Sequence, residues 1–204
     1  MKFTEFKETF RKKLIIDSRD FIFLDNENFI RRQVNEWKNK NWLLELKRGI
    51  YVFNDPLILE KLSAELVANY IYQPSYLSLQ FALYHYRLIS ESVYGFTSVT
   101  SRKTARFNNR FGQFTYSHIK NSLFWGFTLQ TVNELKTQIA TPEKSLIDFV
   151  YFNKNHFKKE IEHLYSFRFQ NFEIIDIDRL QLFLNRANNK TVNQLIHQLI
   201  QHIQ

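Results

Sequence analysis

The chain has 204 residues, no cysteine and a formal net charge of +8 at pH 7. Without cysteine there are no disulfides, thiolate metal ligands or cysteine nucleophiles, which fits a reducing cytoplasm. The opening residues MKFTEFKETFRKKLII mix charge with apolar side chains, and no run approaches the ~18 apolar residues of a spanning helix, so we expect a cytoplasmic protein without signal peptide or membrane contact. The positive balance favours a polyanionic partner, because cations neutralise phosphates.

A helical pattern runs through the stretch NENFIRRQVNEWKNKN. Asp25 or Asn26 is placed to cap this helix. Ile30, Val34 and Trp37 recur at helical spacing and predict one buried stripe. Another side of the helix presents a basic, amide-rich face, which consists of Arg31, Arg32, Asn35, Lys38 and Asn39.

The segments on either side of this helix have a characteristic order. SRDFIFLD predicts a short helix that begins at Ser18, and WLLEL and GIYVF predict a hairpin with Lys47, Arg48 and Gly49 at its tip. Helix, helix, basic helix, hairpin is the order of a winged helix-turn-helix, in which the second helix of the pair enters the major groove and the wing lies on phosphates. Arginine and asparagine suit base edges, whereas Lys47 and Arg48 suit phosphates. The alternative is a solvated surface helix without a ligand.

A turn signal at Asn54, Asp55 and Pro56 predicts a domain boundary. We therefore expect an α+β protein in which an N-terminal winged helix-turn-helix, residues 1–55, precedes a larger mixed α/β domain, residues 56–204. Within the second domain, VYGFTSVT and FGQFTYSHI predict strands. Two apolar series at helical spacing predict one amphipathic helix each. The first series is Leu59, Leu62, Leu66 and Tyr70, and the second is Leu77, Phe81, Tyr84 and Leu88.

The stretch TPEKSLIDFV predicts the start of a helix. Thr141 can cap it, and Pro142 stands at the first helical position, where a missing N–H is harmless. Glu143, Lys144 and Asp148 could in principle support metal-assisted phosphodiester chemistry. The two carboxylates are five positions apart on a helix, however, and do not converge on one ion. We predict no catalytic residue and no metal ligand.

A second basic segment has no carboxylate between Ser92 and Asn133. Within it, residues 100–114 predict a solvated hairpin, with Asn108 and Asn109 in its turn, or a basic loop that contacts nucleic acid or the toxin. The cations that define this possible second surface are Arg102, Lys103, Arg106 and Arg110. Residues 175–203 predict two amphipathic helices that either close the core or offer a partner-binding face.

Three blocks carry a family resemblance: LKRGIYVF at the hairpin, YLSLQFALYHYRLI at 76–89 and IATPEKSLIDFV at 139–150. In this order and spacing the chain resembles the AbiEi family of type IV antitoxins over most of residues 15–152. The resemblance implies a winged helix-turn-helix that represses the toxin–antitoxin operon. It also implies a C-terminal domain that counters a nucleotidyltransferase toxin. The tail after about residue 155 matches none of these motifs.

We therefore expect a DNA-binding antitoxin that represses its own operon. The expected partners are double-stranded DNA upstream of its own gene and, functionally, a nucleotidyltransferase toxin. No cofactor and no enzyme activity are expected. Two alternatives stay open, namely a stand-alone transcriptional regulator without a toxin and a metal-dependent nucleic-acid-processing enzyme.

Overall fold

A computed structural model describes residues 1–132 and 135–203 and shows an α+β fold. Asn133, the last residue of the carboxylate-free segment, lies outside the described residues. The elements of the first part are α1 (Phe3–Thr9), β1 (Ile16–Asp17), a 3-10 helix (Ser18–Phe23), α2 (Glu27–Asn39), β2 (Leu43–Lys47) and β3 (Ile50–Phe53). The predicted order of short helix, helix and hairpin is confirmed. Asn26 is the residue before α2, but its left-handed backbone leaves its side chain without a capping hydrogen bond.

The three strands of the first part form an antiparallel sheet in the order β1-β3-β2. One face of this sheet packs against α1 and α2. The predicted stripe of Ile30, Val34 and Trp37 is buried there, against Phe6 and Phe21 among others. The hydrophobic periodicity of α2 therefore fixes which side of the helix remains exposed.

The second part combines a six-stranded sheet with helices. Its helices are α3 (Pro56–Lys61), α4 (Ala64–Ile71), α5 (Leu79–His85), α6 (Pro142–Phe157), α7 (Glu162–Tyr165), α8 (Ile177–Ala187) and α9 (Lys190–Ile203). Its strands are β4 (Ser75–Leu77), β5 (Phe96–Thr100), β6 (Ala105–Asn109), β7 (Gly112–His118), β8 (Phe127–Val132) and β9 (Leu135–Ala140). Short 3-10 helices lie at Asn121–Leu123 and Phe172–Ile174. The strand order is β6-β7-β5-β4-β9-β8, with β5/β7 and β4/β9 parallel.

Two predicted helices are corrected by the structure. The series from Leu59 to Tyr70 divides into α3 and α4, because Ser63 accepts a hydrogen bond from the Leu66 N–H and caps a new helix. The series from Leu77 to Leu88 also fails as one helix. Leu77 ends β4, where it pairs with Ser98 and Ile139, and only Leu79–His85 is helical. Sheet pairing with distant residues thus overrides the local spacing.

Hydrophobic contacts join the two parts of the chain. The second face of the N-terminal sheet buries Leu46, Ile50 and Val52 in the same cluster as Val67 and Ile71 of α4. The predicted boundary at residues 55 and 56 stays a prediction, and across it the two segments share a core. The tail helices α8 and α9 close a further hydrophobic cluster over α5 and α6. Closing the core was one of the two roles expected for these helices.

Candidate nucleic-acid interface

The exposed side of α2 carries the predicted basic face. Arg31, Arg32, Asn35 and Asn39 are exposed, and Lys38 is half-buried. They occupy this side because the buried stripe of α2 faces the N-terminal core, which leaves the remaining arc to polar residues. The structure therefore presents all five predicted α2 residues on the surface of one helix.

Two cations of this face form ion pairs with carboxylates of the protein itself. The Arg31 guanidinium donates to Glu27 Oε1 from Nε at 2.9 Å and from Nη2 at 2.7 Å, and Nη2 also reaches the Ser18 carbonyl at 3.3 Å. Lys38 Nζ donates to Glu45 Oε2 on β2 at 2.6 Å. Exposed ion pairs contribute only ~0–1 kcal/mol, so a phosphate can replace either carboxylate at small cost.

A groove of about 500 Å³ runs between α2 and the hairpin, and we call it the α2 groove. Arg31, Asn35 and Lys38 line it from the helix, and Arg48 lines it from the hairpin turn. Glu45 is the carboxylate among its lining residues. The groove therefore brings together guanidinium, amide and ammonium donors from segments that are separate in the sequence.

The hairpin turn is held in place by a close contact at Gly49. This residue has a φ of +83°, and its carbonyl accepts a 2.7 Å hydrogen bond from the Ser18 N–H. A Cβ at position 49 would lie 2.7 Å from Ser18 Oγ. Glycine thus allows both the left-handed turn and the close approach that sets Arg48 beside α2.

Lys47 is not an exposed tip residue beside Arg48, which corrects the placement expected from the sequence. Its side chain is half-buried, and Nζ donates to the Ile71 carbonyl at 3.0 Å. It also lies 4.8 Å from the ring centroids of Tyr72 and Phe107. Burial and the nearby Arg102 charge lower the pKa of Lys47. The side chain turns towards the second part of the chain because the Ile71 carbonyl and the rings of Tyr72 and Phe107 interact favourably with its ammonium group there.

The four cations of the predicted second surface divide between different surroundings. Arg102 stacks on Tyr72 at 4.5 Å and donates to the Gln73 carbonyl at 3.1 Å, while Lys103 and Arg106 are exposed. Arg110 donates to Asn54 Oδ1 at 3.3 Å. The predicted turn is shifted, because Asn108 and Asn109 belong to β6 and the turn residues are Arg110 and Phe111. Asn109 is needed in the strand, where its amide donates to the Leu46 carbonyl.

A buried polar cluster that the sequence did not reveal lies between α6 and β4. Lys144 and Asp148 form an ion pair one helical turn apart, and both are almost completely buried. Asp148 Oδ2 also accepts from Tyr76 OH at 2.9 Å and from Ser78 Oγ at 2.8 Å. Burial and the adjacent carboxylate raise the pKa of Tyr76 well above its usual value, so this hydroxyl remains a donor. The i, i+4 spacing of Lys144 and Asp148 was the available signal.

The start of α6 follows the prediction. Thr141 Oγ1 accepts from the Lys144 N–H, and Pro142 occupies the first turn. Glu143 is buried on another side, where Oε1 accepts from the Asp176 N–H at 3.0 Å. Glu143 and Asp148 thus have different partners. Among residues 1–132 and 135–203, no group of three or more histidine, cysteine or carboxylate side chains is arranged to hold a metal ion.

Arg19 is a further cation of this region that the sequence reasoning did not single out. It follows the 3-10 helix cap, and its Nε and Nη2 donate to Asp17 Oδ2 at 2.9 and 2.6 Å. The hydrogen bonds from Arg19 lower the pKa of Asp17, although burial of this carboxyl opposes them. The signal in the sequence was the aspartate cap, which predicts a donor two residues later.

Comparison with known proteins finds no family model that matches the chain and no curated protein that matches it. The resemblance to the AbiEi antitoxins therefore stays a prediction that the three quoted sequence blocks carry. Within the described residues, no helix combines the length and the apolar character needed to cross a membrane.

Proposed function

We propose that the chain is a DNA-binding repressor and antitoxin of the AbiEi type. Residues 1–55 would act as a winged helix-turn-helix, with Ser18–Phe23 and α2 as the helix pair and the β2–β3 hairpin as the wing. The observation that carries this proposal is the α2 groove, where Arg31, Asn35 and Lys38 face Arg48 across a concave surface.

The donors of the groove match the chemistry of duplex DNA. Arginine can bond two acceptors of guanine and asparagine can bond adenine, and both residue types stand one turn apart on α2 at Arg31 and Asn35. Lys38 and Arg48 offer charge to phosphates on either side. On binding, phosphates would replace Glu27 and Glu45 as the partners of Arg31 and Lys38. We propose double-stranded DNA upstream of the gene as the ligand.

The antitoxin part of the proposal rests on the resemblance and on where its motifs lie. The hairpin block forms the end of β2 and all of β3. The second block forms the end of β4 and all of α5, and the third forms the end of β9 and the start of α6. These elements build the buried framework of both parts. We propose that residues 56–204 oppose a nucleotidyltransferase toxin, without catalysis, metal or cofactor. The described structure offers no specific observation in favour of an enzyme, because Lys144 and Asp148 are closed to solvent.

Footprinting on the DNA upstream of the gene tests repression. Wild-type protein should protect a discrete site, and Asn35→Ala should lose discrimination between this site and altered sequences by about 1–3 kcal/mol. Arg48→Ala should weaken binding to all sequences alike. Equal affinity of wild-type protein for the upstream fragment and for scrambled DNA would contradict sequence-specific repression.

Co-expression with a neighbouring nucleotidyltransferase gene tests neutralisation. The full-length double variant Arg32→Ala/Arg48→Ala should restore growth as wild type does, while it represses the operon poorly. Lack of rescue by wild-type protein would favour the stand-alone regulator. If wild-type protein restores growth and the folded double variant does not, neutralisation needs the DNA-binding face.

A further inference from the structure

A second cavity, of about 230 Å³, lies between the hairpin and the end of α4, and we call it the junction cleft. Four cations line it, and Asp17 is the carboxylate among its lining residues. The cations come from three separate regions of the chain and are Arg19, Lys47, Arg48 and Arg102. No pattern in the sequence predicts that these regions line one cleft.

The charge of this cleft is only partly balanced within the protein. Asp17 accepts three hydrogen bonds from Arg19, two from its guanidinium and one from its backbone N–H. In the part of the chain that the structure describes, Lys47, Arg48 and Arg102 form no salt bridge. Lys47 is half-buried beside Arg102, and like charges held together repel each other. An anion bound in the cleft would relieve this repulsion.

The junction cleft is next to two other cavities. It shares Arg48 with the α2 groove and Arg102 with a third cavity of about 670 Å³, the sheet groove. Lys103 and His118 also line the sheet groove. His118 Nδ1 lies 2.8 Å from the Arg102 carbonyl, so this nitrogen carries the proton and donates. A row of three cationic cavities fits an extended polyanion better than a single small anion.

We propose that the DNA backbone leaves the α2 groove at Arg48 and continues through the junction cleft to Arg102 and Lys103. This inference rests on the proposed function and extends it, because it adds Arg102 and Lys103 of the second basic segment to the DNA-binding surface of α2 and the hairpin. The ligand groups are phosphodiesters that flank the base pairs contacted by α2. Contacts of this kind add affinity and salt dependence but no sequence discrimination.

The test measures affinity for the protected upstream fragment over a series of salt concentrations with full-length protein. Arg102→Ala should weaken binding several-fold and reduce the slope of log affinity against log salt by about 0.9, the value for one phosphate contact. Lys103→Ala should act in the same direction. Arg106→Ala is the matched control, because Arg106 is exposed on β6 and does not line the three cavities, so its slope should equal that of wild type.

The outcomes separate this inference from the proposed function. If wild-type protein binds the fragment and Arg48→Ala reduces the slope while Arg102→Ala and Lys103→Ala leave it unchanged, the extended surface is wrong and the α2 site stands. If inorganic phosphate binds the wild-type cleft while the Arg102→Ala slope is unchanged, the cleft is a small-anion site and the inference is overturned. If wild-type protein binds no DNA, both proposals fail.

Discussion

Lys47 Nζ lies 3.0 Å from the carbonyl oxygen of Ile71, the last residue of α4. The hydrogen bond places a cation at the carboxyl end of a helix, where the helix dipole favours positive charge. It also joins the N-terminal hairpin to the second part of the chain. Neighbouring hairpin residues therefore have different roles, since Lys47 connects two parts of the fold and Arg48 faces the α2 groove.

Replacement of these two neighbours should separate stability from DNA binding. Lys47→Met keeps apolar contact with Tyr72 and Phe107 but leaves the Ile71 carbonyl without its charged donor, and we expect a loss of about 1–2 kcal/mol in the free energy of unfolding. Arg48→Ala should change that free energy by less than about 0.5 kcal/mol and should weaken DNA binding. Urea unfolding and DNA titration measure the two effects. Equal stability of Lys47→Met and wild type would show that the Ile71 contact is unimportant.

The Glu27 carboxylate should oppose DNA binding, because it pairs with Arg31 at 2.7 Å on the proposed interface. Glu27→Gln frees Arg31 and removes a charge that repels phosphates. We expect about two-fold tighter binding, with ~0.2–0.5 kcal/mol lost from stability, the usual contribution of such a helical pair. Glu36→Gln removes the same charge from α2 away from the groove lining and should give a smaller gain. Weaker binding by Glu27→Gln would instead mean that the carboxylate positions Arg31.

Trp37 should be essential to the core of the N-terminal part. It is 4% exposed and contacts Phe3 and Phe6, with ring centroids 5.3 and 4.7 Å away. Trp37→Ala should cost about 3–5 kcal/mol, because it leaves a large cavity. Trp37→Phe retains most of the packing and should cost less. Chemical unfolding of both variants provides the comparison, and a fully stable Trp37→Ala protein would place this side chain outside the core.

The buried pair of Lys144 and Asp148 should show strong energetic coupling. Asp148→Ala leaves a buried ammonium and the Tyr76 hydroxyl without their acceptor, and we expect a loss of about 3–5 kcal/mol. The double variant Lys144→Met/Asp148→Ala should lose much less than the sum of the two single losses. Lys7→Ala breaks the exposed Lys7–Asp55 pair as a control and should cost ~0–1 kcal/mol. Additive losses at Lys144 and Asp148 would contradict a coupled pair.

Those parts of the fold that depend on local signals were predictable. The periodicity of α2, the hairpin at Gly49 and the cap at Thr141 each act within a few residues, and each is present in the structure. The helix expected from Leu77 to Leu88 failed for the opposite reason. Its first residue pairs with strands that follow about twenty and sixty positions later, and single-sequence spacing carries no information about such partners.

The sequence predicted which residues belong to the candidate site better than it predicted the contacts that those residues make. The basic face of α2 follows from helical geometry, and the Arg31–Glu27 pair could have been found from its i, i+4 spacing. The inward turn of Lys47 and the presence of Arg19 and Arg102 in one cleft depend on how the hairpin packs against α4. Such tertiary contacts decide which exposed cations can act together.

Site-directed cleavage tests most directly whether α2 lies in the major groove. The chain has no cysteine, so Asn35→Cys can carry an iron chelate that generates hydroxyl radicals at one position. Tyr94→Cys is the control, because Tyr94 is 95% exposed and does not line the three cavities. We predict that the position-35 conjugate cleaves the upstream DNA within the protected site, around one major groove, and that the position-94 conjugate does not. A position-35 conjugate that binds with wild-type affinity but leaves the protected site uncut would contradict the assignment of α2 as the DNA-reading helix.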